Sequence, residues 1–172
     1  CDAIGRCTDK MEFSATVERT MANAQSLKEI EACKTVLLQF PEPQLSETAA
    51  RKVGYGGAAQ QVAFLEILAA RHGEQHIKAV RRCLNSEAPE VRLAAVKTLA
   101  VIGAPEDMTT LFALVISGSD DAMMDAAREA LVALADRHAL RPAILAQIEG
   151  VFATADPELK RRFMGSLGKL MH

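Results

Sequence analysis

Residues 86–107 read SEAPEVRLAAVKTLAVIGAPED, and residues 117–137 read SGSDDAMMDAAREALVALADR. Laid over one another at a shift of 32, Ala94-Ala95 falls on Ala126-Ala127, Leu99 on Leu131 and Ile102 on Leu134. A shift of 68 places Pro89-Glu90-Val91-Arg92 on Pro157-Glu158-Leu159-Lys160, with Leu99 and Ile102 on Leu167 and Leu170. One helix is therefore written three times. Self-similarity at such a period marks a stack of supersecondary units, each unable to bury its own apolar face.

Weaker copies extend the pattern upstream. Val62, Leu65 and Leu68 fall under Val96, Leu99 and Ile102 at a shift of 34. Leu27–Phe40 is a fifth copy, opened by Ser26 with Glu29 three residues on, the spacing of a capping box, and closed by FPEP. First helices are thus expected near 26–40, 57–72, 89–103, 120–137 and 157–171, and second helices near 45–55, 74–85, 105–117 and 141–153. A helix near 9–23 caps the open end. Gly73, Gly103 with Pro105, and the segment from His138 to Pro142 are the breakers between them, and the short connections make sequential helices antiparallel. Asp156 before Pro157 is a helix-start signal. No stretch alternates with period two, so no sheet is expected.

The first helices carry small residues where neighbours must approach closely (Ala94, Ala95, Ala126, Ala127, Ala130) and larger aliphatics a turn later (Leu99, Ile102, Leu131, Leu134). Leu131 belongs to that core, and its replacement by Ala is expected to cost about 2–5 kcal/mol. Acidic residues at helix starts, among them Glu87, Glu90, Glu106, Asp107, Asp120, Asp121, Asp156 and Glu158, oppose the positive helix ends.

At 172 residues the chain has the size of one domain, with 49% apolar and 24% charged residues, a soluble globular balance. The formal net charge is −2, which argues against a surface built to neutralise many phosphates. No Trp, one Tyr and six Phe leave no stacking platform for single strands, so nucleic acid is not an expected partner. No apolar run is long enough to span a bilayer.

Of the four cysteines, Cys33 and Cys83 fall among apolar neighbours and read as small buried hydrophobes. Cys1 and Cys7 are poorly spaced for a bridge within one helix. Cys1 as first residue reads as the edge of a piece of a larger chain or, less readily, as the lipid-bearing residue of a processed lipoprotein. A lipid anchor and a cell-envelope location follow only in the second case; a cytoplasmic domain fits the first.

The pieces PEVRLAAVKTLAVIG, DDAMMDAAREALVALA and DPELKRRFMGSLGKLM resemble HEAT repeats, especially the short bacterial HEAT-like type of the bilin lyases. The resemblance is clearest over 86–171 and weaker up to about residue 26. It departs from the pattern where the Arg after the first aliphatic becomes Met124 or Lys160, and where Arg162-Phe163 replaces the Ala pair. The fold it implies is all-α, an α-α superhelix of about four to five antiparallel hairpins, forming one domain over 1–172 with a capping helix in 1–25.

The resemblance implies a non-catalytic scaffold that binds another protein, or another domain of its parent chain, through the face lined by second helices. A HEAT-like enzyme or ligand-binding protein, lyase-like or acting on a nucleic-acid base, is the alternative, and a spacer or oligomerisation segment a third. The deoxyhypusine hydroxylases of this architecture hold iron through His-Glu dipeptides, and here the four His precede Gly73, Ile77, Ala139 and the chain end. The alkylpurine DNA glycosylases use Trp on a basic face, and this chain has no Trp.

His72, Glu74 and His76 in RHGEQH have ligand-forming types, yet a polar inter-helix turn accounts for them, so neither metal nor cofactor is expected. Lys78 and Arg81, three apart, point away from the stripe of Ile77, Val80 and Leu84, and with Arg82 they form a positive patch that is either a solvated helix face or a site for an acidic partner. EDMTTLFALVIS is more apolar than one face needs: Met108, Leu111 and Val115 make a stripe, and Phe112, Leu114 and Ile116 are either core or a docking surface. The partner-binding candidates are Lys78, Arg81, Arg82, Thr109, Phe112 and Gln147. KVGYGGAAQQ follows no strand, so it reads as a connection rather than a phosphate loop, with Tyr55 packed there. No catalytic residue is identified.

Overall fold

The computed structural model describes residues 10–24, 26–39, 44–117 and 120–154, with Pro157 and Lys160 beyond them. The described residues form helices α1 (Lys10–Asn23), α2 (Leu27–Gln39), α3 (Gln44–Lys52), α4 (Ala58–Ala70), α5 (Ile77–Cys83), α6 (Pro89–Ile102), α7 (Met108–Ser117), α8 (Asp121–His138) and α9 (Arg141–Thr154), and no strand. The all-α reading holds. The helix expected near 9–23 is α1, the expected first helices are α2, α4, α6 and α8, and the expected second helices are α3, α5, α7 and α9. Apart from Pro157 and Lys160, the copy at 157–171 lies outside the described residues, as does the pair Cys1 and Cys7.

Local chemistry sets the boundaries. At α2 the Ser26 amide donates to Glu29 Oε2 at 3.2 Å while the Glu29 amide donates to Ser26 Oγ at 3.3 Å, a reciprocal capping box. Asp120 opens α8 by accepting the Ala122 amide at 3.0 Å. Ala139 ends it in the left-handed region, φ 54°, where the Leu140 amide reaches the Ala135 carbonyl at 2.9 Å. Two second helices start with a single 3-10 turn, Glu74–His76 before α5 and Pro105–Asp107 before α7. In the latter, Asp107 is 3% exposed and takes the Ala104 amide on Oδ2 at 2.9 Å, which satisfies its buried carboxylate. α3 stops at Lys52, short of residue 55, because the run Gly54, Tyr55, Gly56, Gly57 turns, with Gly56 at φ 87°.

The chain divides into two compact units, residues 1–98 and 99–172. In the first, α2 packs on α1 and α4, and α3 packs on α4 and α5. Its core holds Met21, Leu37, Leu45, Phe64, Leu65, Ile67, Leu68, Val80, Val91 and Val96, all essentially without exposure. Each such side chain contributes about 1.5–3 kcal/mol by leaving water. Thr98 is buried among them, and its hydroxyl donates to the Ala94 carbonyl at 2.8 Å and lies 3.2 Å from that of Leu65. Lys34 of α2 reaches Glu31 at 2.8 Å and Glu66 of α4 at 2.5 Å. Burial pulls its ammonium down, but the two carboxylates outweigh that and hold it above its ordinary value.

In the second unit α8 packs on α7 and on α9, burying Leu99, Ile102, Leu111, Val115, Leu131, Leu134 and Ile144. The small residues expected at close approaches, Ala126, Ala127 and Ala130 here and Ala94 and Ala95 in the first unit, are buried. Gly103 is required sterically: a Cβ there would stand 2.7 Å from Leu134 Cδ1.

A device that recurs in both units closes the ends of first helices. Arg71, just past α4, donates through Nη2 to the Leu37 carbonyl at 2.9 Å and the Leu38 carbonyl at 3.3 Å, at the last turn of α2. Arg137, near the end of α8, donates through Nη1 to the Gly103 carbonyl at 3.0 Å and through Nη2 to that of Ala100, at the end of α6. Both place a cation on the negative end of the preceding first helix and satisfy carbonyls that have no partner within it. The intervening copy has Pro105 at the matching place, and the end of α4 is closed by the Gly73 amide on the Leu68 carbonyl at 3.0 Å.

Candidate functional site

Helix α5 turns Ala79, Val80 and Cys83 inward and leaves Lys78 and Arg82 exposed, with Arg81 half-buried. It has no acidic residue. The neighbouring second helix α3 ends in Arg51 and Lys52, both exposed. Lys52, Lys78 and Arg82 pair with no carboxylate among the described residues. The expected patch of Lys78, Arg81 and Arg82 is thus on one helix of the first unit and is extended by α3.

Beside it opens a cleft of about 920 Å³. Arg51 and Arg82 line it together with Val53, Gly54 and Tyr55 after α3, and Asn85, Ser86 and Glu87 between α5 and α6. Arg51 donates to Thr48 Oγ1 at 3.1 Å, which steadies its guanidinium on α3. Arg92 donates to the Ser86 carbonyl at 2.7 Å and the Glu87 carbonyl at 3.0 Å, fixing one wall from α6. The opposite wall is fixed by the Tyr55 amide on the Lys52 carbonyl at 2.9 Å and by Gln61 Nε2 on the Gly56 carbonyl at 3.0 Å. Tyr55 does not pack in this connection as expected: it is 73% exposed, in the turn that passes through Gly56 at φ 87°.

Cys83 is at the floor of the cleft, with Sγ 3.5 Å from the Ala79 carbonyl. Burial pushes its thiol up, against the opposing pull of Arg82. Cys33 is buried too, and burial followed by Glu29 raises it. Both are free, as expected of small core hydrophobes. His72, at φ 49°, and Glu74 are exposed and His76 is half-buried, and no group of three His, Cys, Asp or Glu among the described residues is arranged to hold a metal ion.

The remaining candidates lie in the second unit. Thr109 on α7 is exposed and Gln147 on α9 is half-buried. Phe112 corrects the docking expectation: it is 6% exposed, a core ring. The excess apolar character of α7 goes into packing against α8, with Leu111 and Val115 beside Phe112 and with Leu114 and Ile116 half-buried. Arg51 and Tyr55 were not among the expected site residues. The signal available for Arg51 was the Arg-Lys end of α3, which matches the Arg-Arg end of α5 in the next unit of the repeat.

A family model described as HEAT repeats matches residues 30–132, more than half of the chain. The chain belongs to the HEAT-repeat family. No curated protein and no solved structure matches it. The matched span begins inside α2 and ends inside α8, so it takes in the two upstream copies whose likeness to the others is weakest by eye. HEAT repeats generally serve as protein-interaction scaffolds. Among the described residues no helix is long and apolar enough to cross a membrane.

Proposed function

We propose that this chain is a protein-interaction module whose docking face in the first unit is the second-helix surface of α3 and α5. The observation that carries the reading is the concentration of Arg51, Lys52, Lys78, Arg81 and Arg82 on two adjacent helices of a chain with net charge −2. Among the described residues Lys52, Lys78 and Arg82 pair with no carboxylate, and such cations favour and steer an acidic partner surface. That partner is another protein or another domain of the parent chain. In the second unit, Thr109 on α7 and Gln147 on α9 belong to the proposed second-helix face there.

The test compares affinity capture by the unaltered chain with capture by a Lys78→Glu, Arg81→Glu, Arg82→Glu variant whose circular dichroism is unchanged. The expected result is a partner held at low salt by the unaltered chain and lost by the variant. Identical capture by the two proteins removes the α5 face from the site.

A further inference from the structure

The cleft beside the basic face has walls of mixed character, and that mixture narrows what fits it. Arg51 and Arg82 offer cationic donors, and Asn85 and Ser86 offer neutral polar groups. Glu87 adds a carboxylate, and Val53, Ala79 and Ala88 add apolar surface. A polyphosphate strand presents acceptors almost exclusively and brings no donor to the acceptors of Asn85, Ser86 and Glu87. An extended peptide presents amide donors and carbonyl acceptors along its whole length and can bring carboxylates to the two arginines. The volume, about 920 Å³, is at the upper end of the range of roughly 300–1,000 Å³ that encloses a small ligand.

Two further observations favour a built site over an accidental gap. Both walls are fixed before anything binds, one by Arg92 on the Ser86 and Glu87 carbonyls and the other by Gln61 on the Gly56 carbonyl, so little ordering cost falls on binding. Tyr55 stands on the second of these walls with its ring in water. Tyr and Arg, both present at this cleft, are among the residue types enriched at binding hot spots once a partner covers them.

We infer that the cleft formed by α3, α5 and the 85–88 connection is the docking site for an extended acidic peptide segment of the partner, with Arg51 and Arg82 pairing its carboxylates and Tyr55 packing along its backbone. The inference rests on the interaction-module reading and gives its partner a chemistry.

Tyr55 makes the test specific, because the chain has one Tyr and no Trp, and its emission therefore reports this site alone. The probe is a synthetic peptide of alternating glutamate and valine, which favours an extended chain. It is titrated unlabelled against Tyr55 emission and, fluorescein-labelled, against anisotropy. A lysine–valine peptide and a labelled oligothymidine serve as comparisons. The glutamate peptide is expected to bind, to change Tyr55 emission, and to bind at least about tenfold more weakly to Arg51→Glu and to Arg82→Glu, both exposed and so compatible with folding. Lys28→Glu, on exposed α2 surface, is expected to leave binding unchanged.

Three results would overturn the inference: oligothymidine binding as tightly as the glutamate peptide, binding that leaves Tyr55 emission or the arginine variants unaffected, or no binding by the glutamate peptide at its solubility limit. Each of these leaves partner capture by the α5 face standing, whereas identical capture by the charge-reversed triple variant withdraws that face.

Discussion

Helices α5 and α7 occupy the same place in successive repeats and are introduced by the same single 3-10 turn, yet their side chains do opposite things. α5, IKAVRRC, buries three small or aliphatic residues and gives the rest of its surface to three cations. α7, MTTLFALVIS, has no charge at all and sinks Leu111, Phe112 and Val115 beneath α8. Position within the repeat therefore determines that a helix forms, while the residue types determine how much of its surface is covered and how much is left for a partner. A second helix rich in apolar residues is recruited into the core, and one with a narrow apolar stripe stays available.

Substitutions of graded severity sharpen that contrast. The largest effect is expected at the α7–α8 contact: Leu111→Ala or Leu131→Ala removes a fully buried side chain and should cost about 2–5 kcal/mol, read as a shift in the urea midpoint. A loss there no greater than that of Thr109→Ala, on the exposed side of the same helix, would mean that α7 is a surface helix after all. Next comes Gly103→Ala. Its new methyl group meets Leu134 and the end of α6, and the overpacking is expected to cost about 1–3 kcal/mol in the same measurement. Smallest is Lys78→Glu on α5, expected within about 0.5 kcal/mol of the unaltered chain while weakening partner capture. Destabilisation as large as that at Leu111 would place Lys78 in the fold and not on a docking face.

The helices were legible because their signals are local and repeated. The Ser26–Glu29 box, Gly103 with Pro105, and the alanine pairs each state a physical need within a few residues, and recurrence at shifts of 32 and 34 removes accidental matches. The basic patch on α5 was legible for the same reason. Phe112 was not, because a helix that is apolar all round gives no phase with which to tell the covered side from the open one. Tyr55 was misread because its exposure depends on the path of the turn between α3 and α4, which a glycine-rich run permits in several forms and does not dictate. The cleft itself joins residues from 51 to 88 across three helices, and no spacing rule encodes such a meeting.

The arginine contacts at the ends of α2 and α6 give the array a direction in time as well as in space. Arg71 follows Leu37 by 34 residues and Arg137 follows Gly103 by the same interval, and in both cases the later residue completes the earlier helix. A chain that emerges N-terminus first thus makes each of these helices with its final carbonyls still held by water, and the closing hydrogen bonds arrive only with the next first helix. Removing residues from the C-terminal side would undo the closure of a helix that remains, so a cut after α7 is expected to fray the end of α6.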